Sequence, residues 1–179
     1  MYTELHAHSN FSFLDGASST RSLVERAVSL GMDALAITDH DGLYSACIFS
    51  KTAREAGIRP IIGAELTLEE DHHLTFLVEN ARGYANLSQL ITRAQLAGSK
   101  GKPVLSEAEL PGRTEGLICL SGCAKGKISR LLLKGERRAA YDAAKRYAAL
   151  FGKNNFYVEI EGHLLPEDRH LCLQLVDLA

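Results

Sequence analysis

Three histidines and two of the three aspartates within the first 40 residues are the side chains of this sequence best suited to chemistry. His6 and His8 stand two residues apart after a short apolar run, and alternation along a strand would place both on one side. Asp15 follows, and Asp39 and His40 come directly after a second apolar run. Two imidazoles on one face, with carboxylates supplied by later segments, are the components of a metal site. A single histidine at a strand end is usually structural, but this clustering favours metal binding.

Side chains able to bind metal recur after later apolar runs, at Glu65, Cys123, Glu161 and His163. For Glu161 and His163, placement on the surface is an equal alternative. A free cysteine commonly packs as a small hydrophobe, but the Ser-Gly-Cys turn that contains Cys123 favours ligation. Cys119 lies on the preceding strand and is predicted to belong to the core.

The composition is that of one globular domain. The chain has 179 residues, of which 46% are hydrophobic and 23% charged, and its formal net charge is -2. Such a charge supplies no positive field for a nucleic-acid backbone, so any contact with nucleic acid is expected to be local or to involve a larger body.

The four cysteines include no Cys-x-x-Cys pair. The first residues lack the pattern of a signal peptide, and no apolar run approaches the roughly 18 to 20 residues that span a bilayer. We expect a cytoplasmic protein without membrane contact.

Strands and helices are predicted to alternate along the chain. Apolar runs predict strands at 2–5, 34–37, 59–65, 117–120 and 156–160. Helical periodicity predicts helices at 20–30, 43–56, 84–97, 137–151 and 166–178, and Ser106 begins a capping box. The segment 66–78 fits either a hairpin or an excursion into a further strand.

The positions of the polar residues favour one α/β architecture over another. Alternating strands and helices are typical of a parallel α/β barrel or of a doubly wound sheet. Chemistry that recurs at the carboxyl ends of successive parallel strands indicates the barrel, because a doubly wound sheet concentrates its site at one switch point.

Several ordered motifs carry a family resemblance. The stretch 5–17 resembles the opening motif of the PHP (polymerase and histidinol phosphatase) domain, in the form found in bacterial C-family DNA polymerase III alpha subunits. The stretches 36–42, 60–65, 73–80, 83–87 and 120–123 agree with it, so the resemblance covers essentially the whole chain. The stretches 9–13 and 93–98 are more similar to the error-prone branch than to the replicative one.

The resemblance implies a PHP-type distorted (βα)7 barrel, whose carboxyl-end mouth holds up to three divalent metal ions. The ligand positions implied by its motifs are His6, His8, Asp15, His40, Glu65, His73 and Cys123. Strand alternation allows only one of His72 and His73 to face the mouth, and the His-Leu-Thr match favours His73. Asp39 is a candidate catalytic residue that could transfer a proton or orient its neighbour, although a helix cap is an equal alternative.

Two family ligands in a later Asp-x-His motif have no counterpart after Cys123. Asp168-Arg169-His170 has the spacing but lies in a helical pattern, where His170 is expected to be solvated. We therefore expect residues 1–179 to be an N-terminal fragment of a longer polymerase, with the barrel truncated before its last strands. An unclosed barrel would leave exposed edges and an incomplete metal cluster.

The mixed ligand set bears on both the metal and the reaction. Imidazoles and a thiolate disfavour Mg²⁺ and Ca²⁺ and suit Zn, Mn or Fe ions, among which the sequence does not choose. The leading hypothesis is a metal-dependent phosphoesterase that acts as a 3′–5′ exonuclease within a DNA polymerase of replication or error-prone repair. Its partners would be DNA, the remaining polymerase domains and accessory proteins. The alternatives are an inactive metal-binding module that recruits partners, and a free-standing phosphatase of the histidinol-phosphate type.

Overall fold

A computed structural model describes residues 2–162 and 168–179 and contains one five-stranded mixed sheet with helices packed on it. The strands are β1 (Ala34–Ile37), β2 (Arg59–Thr67), β3 (His73–Val78), β4 (Leu117–Leu120) and β5 (Phe156–Tyr157). The helices are α1 (Thr20–Ser29), α2 (Ala46–Glu55), α3 (Ala81–Ala97), α4 (Lys127–Leu133), α5 (Arg137–Phe151) and α6 (Asp168–Leu178). Single 3-10 turns lie at Glu69–Asp71 and Glu107–Glu109.

The sheet is not all-parallel, which corrects the predicted parallel barrel. The order is β1-β2-β3-β4-β5, with β1 parallel to β2 and β4 parallel to β5, but β3 runs antiparallel to both of its neighbours. Only the short turn around Glu69–Asp71 joins β2 to β3, and a parallel neighbour would need a crossover of a dozen or more residues. The hairpin interpretation of 66–78 is therefore confirmed. A closed seven-stranded barrel is not seen in the described residues.

The segment before α1 extends the sheet beside β1. Glu4 pairs with Leu35 in a parallel bridge, and the Glu4 carbonyl accepts a hydrogen bond of 2.8 Å from the Ala36 amide. The Ala7 carbonyl accepts another of 2.9 Å from the Thr38 amide. The strand predicted at 2–5 thus lies in the expected place but pairs too sparsely to count as a regular strand.

Most other predicted elements are confirmed, with two differences. The strand predicted at 156–160 is regular only at Phe156–Tyr157, and α4 was not predicted at all. Helix α4 has seven residues and buries only Ile128, Ser129 and Leu132, so its apolar period is too short to stand out beside lysine and arginine.

Two helix-covered cores, a small third cluster around Ala36 and a large cavity lie against the sheet. Helices α3, α4 and α5 cover the β3–β4 region with a buried core that includes Leu66, Leu74, Phe76, Leu90, Leu117 and Tyr147. Helices α1 and α2 cover β1 with a second core that includes Val24, Leu35, Ile37 and Phe49. The two outermost segments of the sheet, 2–6 and 157–160, both line a cavity of about 780 Å³. The ends of the sheet therefore approach each other without pairing in the described part of the chain.

Gly63 lies where β2 packs tightly against β3 and against the residue that follows β1. It lies in β2 opposite Leu77 of β3. A Cβ atom on Gly63 would lie 2.5 Å from the Phe76 carbonyl oxygen and 2.8 Å from Thr38 Cγ2. The contact with a backbone atom cannot be relieved by a change of rotamer, so the position requires glycine.

None of the helices in the described residues has the length and hydropathy needed to cross a bilayer.

Glu107 ties the second 3-10 turn to two helices. Its Oε1 accepts hydrogen bonds from the Tyr147 hydroxyl at 2.7 Å and from Lys127 Nζ at 2.9 Å, and its Oε2 accepts one from Arg146 Nη2 at 2.6 Å. Burial by itself would raise the pKa of the Glu107 carboxyl, but Tyr147, Lys127 and Arg146 outweigh it and lower that pKa. The ionised carboxylate therefore stabilises the packing of α4 and α5.

We expect Glu107→Gln to lower the free energy of unfolding by about 1–3 kcal/mol at neutral pH, measured by urea denaturation. Because the folded-state pKa of Glu107 lies below its unfolded value, its contribution is fully present above the ordinary glutamate pKa and is lost as the pH falls below that pKa and through the lower folded-state pKa. Glu109→Gln is the matched control, since Glu109 is more exposed than Glu107 and forms ion pairs with Arg93 and Arg113, and it should cost less than about 1 kcal/mol. A difference between wild type and Glu107→Gln that stays constant with pH would contradict this account.

Candidate metal centre

Four imidazoles surround one buried carboxylate at the end of β2. The Glu65 side chain is 1% exposed. His6 Nε2 lies 2.5 Å from Glu65 Oε2, and His8 Nε2 lies 3.8 Å from the same oxygen. On the other side, His73 Nδ1 contacts Glu65 Oε1, and His40 Nδ1 lies 3.4 Å from it. Glu65 is thus the shared neighbour of four of the predicted ligands.

The four histidines reach Glu65 from three segments of chain. His6 and His8 lie on the segment beside β1, two residues apart, and His40 follows β1 and bridges Glu65. His73 is the first residue of β3 and pairs with Thr67 near the end of β2. Because β3 is antiparallel, its start lies at the same sheet edge as the carboxyl ends of β1 and β2. The histidines therefore lie close together at one edge of the sheet, as predicted. His73 lies at the start of its strand, whereas His40 follows the end of β1.

The ring planes and ligand atoms form overlapping groups of three. The rings of His8 and His40 are stacked with centroids 4.4 Å apart, while His6 and His73 meet their neighbours edge-on. Ligand atoms lie within 4.8 Å of one another in four groups: His6, His8 and Glu65; His8, Asp15 and His40; His40, Glu65 and His73; and His6, Glu159 and Glu161. Three protein ligands with an open fourth position are typical of a catalytic zinc site.

Several buried polar atoms of this cluster lack a hydrogen bond among the described residues. His6 Nε2, His8 Nδ1 and both carboxylate oxygens of Glu65 are buried and make no hydrogen bond within the described residues. Buried polar atoms are normally paired, because an unpaired one costs about 1–3 kcal/mol. Ligand atoms that face a common centre without bonding to each other are the arrangement that a divalent cation would satisfy, so these residues fit a metal ion.

Charge within the cluster is strongly coupled. Burial by itself would raise the pKa of the Glu65 carboxyl, but the adjacent imidazoles of His6 and His73 hold that pKa well below its usual range. Burial would lower the pKa of His6, but the carboxylates of Glu159, Glu161 and Glu65 raise it to about 12. Protons on His6 and His73, whose pKa values are both raised by neighbouring acidic groups in spite of burial, thus balance the negative charge, and a divalent cation would replace those protons.

Two predicted ligands lie at the rim of the cluster. Asp15 Oδ2 is 2.7 Å from His40 Nε2, and the Asp15 side chain is 54% exposed. Cys123 Sγ lies 4.0 Å from His73 Nδ1 and accepts a hydrogen bond from the Lys125 amide. The structure therefore brings Asp15 and Cys123 to the edge of the cluster.

Comparison with known proteins assigns the family. The model of the PHP domain matches residues 4–163. The chain belongs to the PHP domain family. It is 40% identical to DNA polymerase III subunit alpha of Treponema pallidum and 45% identical to the error-prone DNA polymerase of Symbiobacterium thermophilum, in both cases over 99% of the chain. It spans only 16% and 18% of the length of these two relatives.

Two solved structures resemble this PHP domain weakly. One is a protein from Bifidobacterium adolescentis, described provisionally as a metal-dependent phosphoesterase, with a TM-score of 0.44 and 28% identity, covering 53% of this chain and 33% of that one. The other is an amidohydrolase from Chromobacterium violaceum, with a TM-score of 0.44 and 19% identity, covering 99% of this chain and 50% of that one. Because both TM-scores are low, neither likeness bears on the activity of this domain.

His72 and His73 lie in different surroundings in the PHP domain. His73 contacts Glu65, as strand alternation and the motif match predict. The backbone carbonyl of His72 accepts a hydrogen bond from the Leu68 amide, and burial and the charges of Arg130 and Lys127 lower the pKa of its imidazole. His72 thus stands beside cations and belongs to none of the four ligand groups.

Asp39 is buried next to His40, and its carboxylate accepts hydrogen bonds from three serines. One or both of its carboxylate oxygens accept hydrogen bonds from the hydroxyls of Ser9, Ser12 and Ser45, and from the Ser9 amide at 2.7 Å. Ser12 Oγ in turn accepts a bond of 3.1 Å from the His40 amide. The residue at the N-cap of α2 is Ser45, so Asp39 is not the cap of that helix. These contacts connect Asp39 to the backbone of a candidate ligand, and its predicted proton-transfer role stays a prediction.

The end of β5 contributes a carboxylate that we did not predict. Glu159 Oε1 lies 2.8 Å from His6 Nδ1, and Glu161 Oε1 lies 3.1 Å from the same nitrogen. The sequence signal was available, since Glu159-x-Glu161 ends a strand run as His6-x-His8 does. Of the other candidates, His163 lies outside the described residues and His170 is exposed on α6.

We expect Asp39→Asn to lower the free energy of unfolding by about 1–3 kcal/mol, because one amide oxygen cannot accept the bonds of three hydroxyls and a backbone amide. Urea denaturation measures the loss. Asp33→Asn is the matched control, since Asp33 is exposed in the loop just before β1, and it should leave the stability unchanged. Equal stability of the two variants would show that the serine contacts add nothing to the fold.

Proposed function

We propose that this PHP domain hydrolyses phosphodiesters with divalent metal ions, as a 3′–5′ exonuclease within a bacterial DNA polymerase of the polymerase III alpha class. The observation that carries the proposal is the ring of His6, His8, His40 and His73 around buried Glu65. Imidazoles and carboxylates that hold metal ions suit direct attack of water on phosphorus, and Cys123 is assigned here as a ligand rather than as a nucleophile.

The chain would hold these ions through the residues that its motifs and geometry bring together, namely His6, His8, Asp15, His40, Glu65, His73 and Cys123. Zn, Mn and Fe ions suit this mixed set better than Mg²⁺ does. When bound, such ions lower the pKa of a coordinated water and polarise a phosphoryl oxygen. Glu65 would supply negative charge to the bound ions, and Asp39 would fix the backbone at His40 through Ser12.

The relatives support the polymerase setting. Both curated relatives named above are DNA polymerases, and they match 99% of this chain. Since the chain spans less than a fifth of their length, polymerisation, contact with DNA, accessory partners and a cytoplasmic location belong to the proposal. The net charge of -2 indicates that DNA would be held by the remaining polymerase domains rather than by the field of this domain. Identities of 40% and 45% to the two branches do not separate replication from error-prone repair.

We expect the double variant His6→Ala with His8→Ala to lose both bound metal and hydrolysis. Metal is measured by plasma mass spectrometry after dialysis against Zn²⁺ or Mn²⁺, and hydrolysis with bis-(4-nitrophenyl) phosphate and with 3′-labelled single-stranded DNA. Hydrolysis that survives in the double variant would overturn the catalytic assignment. Wild-type protein that binds metal without hydrolysing either substrate would favour a structural metal-binding module instead.

The neighbouring histidines give a second, matched test. His73→Ala removes an imidazole that contacts Glu65, whereas His72→Ala removes one that stands outside the cluster. We expect His73→Ala to weaken metal binding by about 10–100-fold, while His72→Ala binds as wild type does. Isothermal titration with Zn²⁺ and Mn²⁺ measures the affinities. Equal affinities of the two variants would exclude His73 from the ligand set.

A further inference from the structure

His6 is held from both sides by carboxylates of different segments. Its Nε2 faces Glu65 at 2.5 Å, while its Nδ1 lies 2.8 Å from Glu159 Oε1. The side chains of His6 and Glu159 are 5% and 10% exposed, so this contact is shielded from water. Glu161 approaches the same nitrogen at 3.1 Å but is 25% exposed.

The two ring nitrogens of a neutral imidazole have different hydrogen-bonding roles. One nitrogen carries the proton and donates it, and the other offers a lone pair. A carboxylate accepts hydrogen bonds but cannot donate them when ionised. Without a cation, both nitrogens of His6 lie beside carboxylates and each can carry a proton. A cation bound at Nε2 would displace the proton that faces Glu65, and the remaining proton on Nδ1 would be donated to Glu159.

We propose that Glu159 is a positioning residue that fixes His6 in the Nδ1–H form and presents its Nε2 to the metal centre. This inference rests on the proposed function of the cluster, and it names a residue outside the ligand set that the motifs imply. Carboxylates that hold a metal-bound histidine in this way commonly affect metal affinity by about 10–100-fold.

The backbone around Glu159 supports this role. The Glu159 amide donates a hydrogen bond of 2.9 Å to Ser121 Oγ, and the Ser121 amide donates one of 2.9 Å to the Tyr157 carbonyl. Glu159 is therefore anchored to the end of β4 rather than placed on a free loop. Its second oxygen, Oε2, is buried and makes no hydrogen bond within residues 2–162 and 168–179, so no donor on that oxygen competes with His6.

One competing arrangement uses the same atoms differently. His6 Nδ1, Glu159 and Glu161 lie within 4.8 Å of one another and could themselves be ligands of an ion. His6 would then bind through Nδ1, and its Nε2 would carry the proton. The two arrangements predict opposite protonation of one ring.

The decisive measurement is a long-range ¹H–¹⁵N spectrum of the histidine rings in the Zn²⁺-loaded chain, with His6 assigned by His6→Ala. We expect Nδ1 of His6 to carry the proton and Nε2 to be the metal-bound nitrogen. Metal bound through Nδ1 would overturn the proposal and assign Glu159 to a metal site of its own. This readout uses wild-type protein, so it stays decisive even where a variant fails to fold.

Variants at Glu159 test how much this residue contributes to Zn²⁺ affinity. Glu159→Leu removes the acceptor and should weaken Zn²⁺ binding by about 10–100-fold, whereas Glu159→Gln keeps an oxygen beside Nδ1 and should recover most of that loss. Glu161→Leu is the matched control at the more exposed carboxylate and should change affinity by about two- to threefold at most. Thermal unfolding of each variant checks that the fold is intact.

The outcomes separate this inference from the proposed function. If His6→Ala weakens Zn²⁺ binding but Glu159→Leu does not, the metal centre stands and the role of Glu159 is wrong. If neither variant changes the affinity, the metal centre itself is wrong. Equal losses in Glu159→Leu and Glu159→Gln would show that the charge of Glu159, rather than its hydrogen bond to Nδ1, is what matters, and would also overturn the positioning role.

Discussion

The carboxylate of Glu65 sets the geometry at the metal-binding end of this domain. It is buried, it lies two residues before the end of strand β2, which packs between β1 and β3, and imidazoles from three separate segments contact it. A lone buried carboxylate would be costly to ionise, so the histidines and Glu65 depend on one another. Each segment that delivers a histidine must stay in register with β2, and the fold is the means by which it does so.

The antiparallel hairpin has a direct functional role in this arrangement. A parallel crossover from β2 would place the start of the next strand at the opposite edge of the sheet, about 20 Å away for a strand of six residues. The short turn at Glu69–Asp71 instead returns the chain at once, so that the first residue of β3 faces the end of β2. The departure from a purely parallel sheet is thus what brings His73 to Glu65.

The local pattern of the sequence was enough to find the ligands that share one segment, but not the contacts between segments. His6-x-His8 is legible because alternation on one strand needs no knowledge of the rest of the fold. The direction of β3 was left open because a turn of a few residues around Glu70 looks the same in a hairpin and in an excursion. Asp39 and Glu159 were harder still. The serines around Asp39 come from two separate segments, the one before α1 and the one before α2, and Glu159 contacts His6 across 153 positions of sequence. Periodicity does not encode either proximity.

The close approach of the strands at Gly63 extends the constraint on this site to a residue that has no side chain. Any larger residue there would press on the Phe76 carbonyl and on Thr38, forcing β2 away from β3 and from the end of β1. Gly63 lies two positions before Glu65, so such a displacement would separate Glu65 from both His73 and His40. Any residue with a Cβ atom is therefore excluded at position 63 on steric grounds, although Gly63 itself offers no ligand atom. A residue without a side chain thus determines how closely Glu65 approaches His40 and His73.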